Sequence, residues 1–272
     1  MKPKAITFDF WGTLFTEGEA FLEKVMPARY EILLDALSEA GHPVDEAEVR
    51  EAYRQASLAF EEAWKAGEHM PVYERVARIF ALLGAPHDPG LIALTARRLE
   101  ESSLLAPLKP LPGVEVLKDL AKKYPLAIVS DTGMTPGRLL REHLKRQGLD
   151  VFQAFSFSDE TGFVKPKPEA FRVALEALGV APEAALPVGA LPPTDISGAP
   201  PASRDGSPRQ GDRDPGRGVP GDRPEARAGA EPGGAPPLQG DVERALRLQE
   251  LPPPPQGPPQ GGGGRPPGPR GE

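Results

Sequence analysis

The chain contains no cysteine in its 272 residues, which excludes disulfide frameworks, thiolate metal sites and thiol nucleophiles. It has only four histidines, His42, His69, His87 and His143. None has metal-ligand spacing to another, so all four read as surface residues of loops or helices. No run approaches the ~20 apolar residues that span a bilayer. The apolar part of "MKPKAITFDF" is too short for the hydrophobic region of a signal peptide. Nor is there an excess of positive charge: the net charge of -7 argues against a nucleic-acid-binding surface. These absences leave the expectation of a soluble, cytoplasmic protein without nucleic-acid or membrane partners and with its oligomeric state open.

A second set of absences is local. Residues 200–272 have no Lys, Ile, Met, Phe, Tyr or Trp, yet hold 18 of the 35 prolines and 16 of the 30 glycines. Such a composition buries too little apolar surface to offset ~1–2 kcal/mol of backbone entropy per residue. The tail is expected to be disordered, and the helically spaced "GDVERALRLQEL" within it is too short to be stable alone. Folding is expected to be confined to residues 1–199.

Within that part, "KAITFDF" reads as a buried strand closed by a Gly12-Thr13 turn. From about Glu17 to Ser103 four apolar-periodic stretches read as helices, with Pro27 expected to start or kink a turn in the first. Strands then return in "YPLAIVSD", "AFSFSDETG" and "AALPVGA", separated by the helical stretches "TPGRLLREHLKRQGL" and "KPEAFRVALEALGV". Alternating strands and helices predict an α/β fold with a doubly wound parallel sheet. In such sheets ligands bind beyond the carboxyl ends of the strands. Those ends carry Asp9, Ser130 with Asp131, the loop from Asp159 to Lys165, and Gly189 with Ala190, and the helical block would form a lid over them.

A carboxylate at a strand end near a lysine suits covalent catalysis, in which Asp9 attacks an electrophile and water hydrolyses the resulting acyl intermediate. Ser130 would hydrogen-bond the transferring group and Lys165 would neutralise charge. Each residue also has a plain structural reading. Asp9 can be a turn former, Ser130-Asp131 a helix N-cap, and "KPKP" an exposed extended loop.

Taken together and in order, "DFWGTL", "VSDT", "GFVKPKPEAF" and "PVGALPPTDISGA" resemble the haloacid dehalogenase (HAD)-like hydrolase superfamily over about residues 1–199, with the helical block similar to its C1-type cap. The resemblance implies a Rossmann-like core made of residues 1–16 and 104–199, with the cap at 17–103. It implies Asp9 as nucleophile, with Thr13, Ser130 and Lys165 also catalytic, and Ser130, Asp131 and Thr132 contacting substrate. It further implies Mg²⁺ held by Asp9 and the Trp11 backbone carbonyl, with Asp195 in support and Asp131 as a further donor.

Two positions depart from the family pattern. Phosphatases of the superfamily carry an acid two residues after the nucleophile, where this chain has Trp11, a residue that cannot shuttle a proton. Their fourth motif reads Gly-Asp, where this chain has Gly189-Ala190 and so lacks one anionic Mg²⁺ ligand. The expected function is a phosphatase-like hydrolase of a small phosphorylated metabolite, acting through an aspartyl intermediate and impaired at these two positions. The alternatives are a metal-independent 2-haloacid dehalogenase and a catalytically inactive chain. The family also has a further strand after "TDISGA", led by a basic helix and a Gly-Met pair. Reading G/C-rich codons for "PPASRDG" one base later gives Arg-Arg and then Gly-Met, so the tail reads either as a frame shift from about Ala199 or as a natural appendage.

Overall fold

Ala5–Phe8 (β1) is an unbroken buried run, and it lies in the middle of the sheet because both of its edges are paired. The structure, a computed structural model, describes residues 3–191 and 194–195. In chain order the described elements begin with β1, a short Phe15–Thr16 strand (β2), and four helices: Glu19–Glu39 (α1), Glu46–Lys65 (α2), Val72–Leu82 (α3) and Pro89–Ser102 (α4). Next come Lys109–Pro110 (β3), Leu117–Ala121 (α5), Leu126–Ser130 (β4), Gly137–Arg146 (α6) and Ala154–Phe157 (β5). Ser158–Thr161 (α7), Pro168–Leu178 (α8) and Ala185–Val188 (β6) complete them. The tail at 200–272, its expected disorder and the frame-shift reading all lie outside the described residues.

The main sheet has the order β5-β4-β1-β6, and every pairing in it is parallel. Period-2 alternation assigns its two faces. Ile6, Phe8, Leu126 and Ile128 share a buried cluster with Leu140 and Leu144 of α6. Ala127, Val129 and Ala154 point the other way, onto Ala170, Phe171 and Ala174 of α8. Small residues on that face let α8 pack close to the strands. The parallel sheet with helices on both sides matches the expected fold class.

Helices α1 to α4 have a core of their own, in which Tyr30, Leu33, Val49, Val76, Ile79, Ile92 and Leu99 are buried together. Local chemistry sets the helix starts. Asp45 and Glu48 form a reciprocal capping box at α2, and the Asp88 carboxylate caps α4 just before Pro89. Pro27 does not start a helix: α1 runs through it from Glu19. The two-residue strands β2 and β3, not expected from the sequence, pair antiparallel, with Phe15 opposite Pro110. They bring the entry and exit of the helical insert side by side. Met134, from the loop after β4, is buried in the helical cluster and ties the two units together.

The histidines correct the surface expectation. His143 is 2% exposed, packs near Phe21, and has an Nε2 without a hydrogen-bond partner. Burial, aided by Arg146 and opposed by the Ser103 backbone, lowers its pKa from 6.5 to about 4. It sits on the apolar face of α6, where the alternation of Leu139, Leu140 and Leu144 already marked the inward side. The folded state therefore holds the neutral ring, while the unfolded chain takes up a proton as pH falls below 6.5. Stability should be fully present above that pH and decline toward pH 4 by up to about 3 kcal/mol. Urea melts of the wild type and of His143→Gln at pH 7.5 and 5 check this. The variant should lose less stability on acidification, and an equal loss in both would contradict the assignment.

Candidate active site

Asp9 follows the last residue of β1, and its backbone N–H donates to the Val188 carbonyl of β6 at 2.9 Å. The chain then turns through Gly12 at φ 72°, a left-handed conformation that a side chain disfavours. That turn brings Thr13 back, so that its hydroxyl donates to Asp9 Oδ2 at 3.1 Å. Lys165 Nζ donates to Asp9 Oδ1 at 2.7 Å and to Asp195 Oδ1 at 2.6 Å. It reaches the strand end because Gly162, with φ 73°, closes α7 and redirects the chain inward. "KPKP" is therefore not merely an exposed loop: Lys165 is only 6% exposed.

Asp195 is also buried, and its Oδ2 accepts from the Leu191 N–H at 2.9 Å. A methyl group on Gly189 would lie 2.2 Å from that oxygen, so this glycine is required for Asp195 to close over β6. Asp131, at the end of β4, accepts from the Lys165 backbone N–H at 2.9 Å through Oδ1 and from Trp64 Nε1 at 2.8 Å through Oδ2. Trp64 belongs to the last turn of α2. The amphipathic pattern of that helix does not distinguish it from a packing aromatic, so no local signal points to this contact.

Three carboxylates thus surround one ammonium. Burial raises the Asp9 carboxyl above its ordinary range; Lys165 opposes the rise and Asp195 adds to it. Burial likewise raises Asp131, against the pull of Lys165. Burial alone would lower Lys165, but Asp9, Asp131 and Asp195 together hold it above its ordinary value. The lysine stays an ammonium. Asp9 and Asp131 therefore hold a proton more readily than exposed carboxylates would.

Asp9, Thr13, Lys165, Asp131 and Asp195 are therefore linked by hydrogen bonds. Ser130 is buried at the end of the neighbouring strand, and its hydroxyl donates to the Asp131 carbonyl at 3.2 Å. Thr132, expected to contact substrate, is directed elsewhere. Its hydroxyl donates to Asp159 Oδ1 at 2.7 Å and pairs with Ser158 Oγ at 3.1 Å, which fixes the β4 loop against α7. The Trp11 ring, half-buried, packs edge-on against Phe10, 5.0 Å between centroids, on the margin of the sheet core. That packing answers for the side chain where an acid was expected.

The arrangement is a poor fit for Mg²⁺. No cluster of three potential ligand side chains from His, Cys, Asp and Glu gathers at one point among the described residues. Lys165 already holds an oxygen of both Asp9 and Asp195, and Ala190, in place of the usual ligand, is exposed. Near-octahedral Mg²⁺ favours more hard anionic donors than this. No helix of the described residues is long and apolar enough to cross a membrane.

Comparison with known proteins adds three relatives. The chain is 42% identical over 89 residues to a phosphoserine phosphatase of Thermus thermophilus, a match covering 32% of this chain and 35% of that protein. The match thus spans about a third of the curated relative. Among solved structures, a 2-haloacid dehalogenase from Pseudomonas syringae superposes with a TM-score of 0.53 at 26% identity, covering 75% of this chain and 84% of that one. A HAD-hydrolase from Bacillus subtilis bound to magnesium gives a TM-score of 0.47 at 23% identity, covering 73% and 85% of the respective chains. The sequence profile of the haloacid dehalogenase-like hydrolases matches residues 3–202, and with the strand order and residue constellation above, the chain belongs to that hydrolase family.

Proposed function

We propose that the chain is a phosphatase-like hydrolase with Asp9 as nucleophile and the four-helix insert as its substrate-covering cap. The observation that carries this reading is the Asp9 carboxylate, fixed at a strand end between Thr13 and Lys165. In the proposed cycle an Asp9 oxygen attacks phosphorus as the ester P–O bond breaks and the alcohol leaves. Water then attacks the same phosphorus, which restores the carboxylate and releases inorganic phosphate. Lys165 offsets the charge that builds on the phosphoryl oxygens, and Ser130 hydrogen-bonds one of them.

Trp11 cannot protonate the leaving alcohol, and loss of a positioned acid removes ~10²–10⁴ in rate. Turnover should therefore favour esters whose alcohol departs readily as an anion, such as aryl phosphates, over simple alkyl phosphates. The phosphoserine phosphatase relative supports the reaction class; its match is too short to carry serine phosphate as substrate.

One observation favours a second reading. The Lys165 ammonium takes one oxygen of Asp9 and one of Asp195, an arrangement that suits a metal-independent dehalogenase in which Asp9 displaces halide from carbon. The structural likeness to the Pseudomonas syringae enzyme agrees with it. An assay of aryl phosphates and 2-haloacids, each with Mg²⁺ and with a chelator, decides between them. Phosphate release supports the first reading and halide release the second, while inactivity on both would mark a catalytically inactive chain.

The metal deficit is itself testable. Ala190→Asp restores a hard carboxylate at the fourth-motif position and should tighten Mg²⁺ binding, read by calorimetric titration of both proteins. Equal affinities would place the fourth motif elsewhere.

A further inference from the structure

The proposed hydrolysis needs a proton for the departing alcohol, and Trp11 cannot give one. In-line displacement narrows where another donor must stand. Asp9 attacks from the end of β1, so the leaving oxygen points the opposite way, out of the sheet and toward the helical insert. The insert meets the strand ends through the last turn of α2 and the connection at 66–71. Trp64 Nε1 donates to Asp131 at 2.8 Å, Lys167 Nζ donates to the Gly67 carbonyl at 2.6 Å, and His69 Nδ1 lies 3.2 Å from Ser158 Oγ. Asp131 follows β4, Ser158 follows β5, and Lys167 is two residues past Lys165. His69 is therefore held at the carboxyl ends of the strands, where ligands of parallel sheets bind.

The hydrogen bonds behind His69 orient its ring. Thr132 has one hydroxyl proton, and it goes to the Asp159 carboxylate at 2.7 Å. Ser158 Oγ accepts from the Thr132 N–H at 2.9 Å and lies 3.1 Å from Thr132 Oγ1. Polarised toward Asp159, the Ser158 proton goes to Thr132, and Ser158 accepts in turn from His69 Nδ1–H. Nε2 has no hydrogen-bond partner among the described residues. The partner of one ring nitrogen sets the state of the other, so this chain of hydroxyls leaves Nε2 as the nitrogen that gains and loses a proton.

The charges around the ring come from each element packed on it. Burial lowers its pKa from 6.5, while Asp159 of α7, Asp131 beyond β4 and Glu74 of α3 oppose the shift. The neutral ring predominates at pH 7, and the imidazolium grows as pH falls. Glu68, the acid beside it in the same connection, is exposed to solvent.

We propose that His69 is the proton donor to the departing alcohol, acting from Nε2. The inference rests on the phosphatase-like reading of Asp9. As the P–O bond to the alcohol breaks, its electron pair stays on the ester oxygen, which takes the Nε2 proton and leaves as neutral alcohol. His69 is then neutral, with its remaining proton on Nδ1 facing Ser158. When water attacks the aspartyl phosphate, Nε2 accepts a proton from that water. The imidazolium and the Asp9 carboxylate are restored, and inorganic phosphate is released.

The test compares two esters on the full chain. 4-Nitrophenyl phosphate releases its alcohol readily as an anion, whereas the alcohol of 2-phenylethyl phosphate needs a proton. Their kcat/KM values report the steps up to alcohol departure, so the later attack of water does not enter. His69→Gln keeps a polar group for Ser158 but cannot carry the proton. It should lower kcat/KM for the alkyl ester about a hundredfold more than for the aryl ester. In the wild type the ratio of alkyl to aryl kcat/KM, in which shared ionisations cancel, should fall as pH rises from 5 to 7.5. His69→Gln should flatten that fall. Equal losses on the two esters, expected if His69 only docks the insert, overturn the proposal. So does a wild-type ratio that does not change with pH, a result that needs no variant. Absence of turnover of both esters overturns the hydrolase reading itself and removes this step with it.

Discussion

Asp9→Asn should lower turnover by about four orders of magnitude or more, the scale seen when a covalent nucleophile is removed. Stability should stay within about 1 kcal/mol of the wild type or rise slightly. The reason is electrostatic. Asp9, Asp131 and Asp195 outnumber the single Lys165 ammonium, and burial already raises Asp9 and Asp131. Replacing one carboxylate by an amide of the same shape relieves that excess. Lys165 keeps its 2.6 Å bond to Asp195, so the cation is not orphaned. Steady-state kinetics beside a urea melt checks both halves, and wild-type turnover in the variant would remove Asp9 from the chemistry.

Lys165→Met should have the opposite balance, losing activity and also about 3–5 kcal/mol of stability, the usual penalty for breaking a buried ion pair from one side. The methionine fills the space of the alkyl chain, so little packing is lost. What remains is a set of carboxylates facing one another without a cation. If repulsion is the cause, adding Asp9→Asn to Lys165→Met should recover part of the loss, and a double-mutant cycle measures that coupling. Strictly additive losses would mean that Lys165 stabilises the fold through packing instead.

Most of the fold was legible because hydrophobic period and punctuation agreed along residues 5–188. "KAITF" and "YPLAIVS" carry β-formers without helical spacing, and Asp45, Asp88 and Pro89 mark the helix starts that the structure uses. Strand-end reasoning also picked out Asp9, Ser130, Asp131 and Lys165, because a parallel sheet brings such ends together whatever the loops do. The errors arose where tertiary contacts outweigh local pattern. His143 was read as exposed because it is polar, although its spacing to Leu139 and Leu140 puts it on the inward face of α6. Thr132 sits beside Ser130 in sequence, yet the backbone turn sends its hydroxyl to Asp159. Trp64 carries no mark that separates it from a packing aromatic. Its contact depends on which helix face is brought against the β4 loop, and that is decided by packing among α1 to α4 and by Met134 entering their core.

Trp11 and Ala190 are instructive for the same reason. Composition and spacing pass over both, and only the comparison of each with its neighbours gives them meaning. Trp11 is held by Phe10 in the sheet core, so the loop after β1 keeps its shape without the acid. Ala190 stands exposed beyond β6, where a carboxylate would meet no steric barrier from its own burial. The chain thus keeps Asp9, Lys165 and the scaffold that the proposed mechanism uses, while departing from the family pattern at Trp11 and Ala190.

The most direct measurement of the central claim is acid-quench of the protein during turnover of an aryl phosphate in ¹⁸O-water, followed by mass analysis of the peptide containing Asp9. The Asp9 peptide should gain the mass of one phosphoryl group, Asp9→Asn should abolish this gain, and after many turnovers ¹⁸O should be found in the released phosphate and not in the Asp9 carboxylate. Turnover with an unmodified Asp9 peptide at every quench time, undiminished in Asp9→Asn, would contradict it.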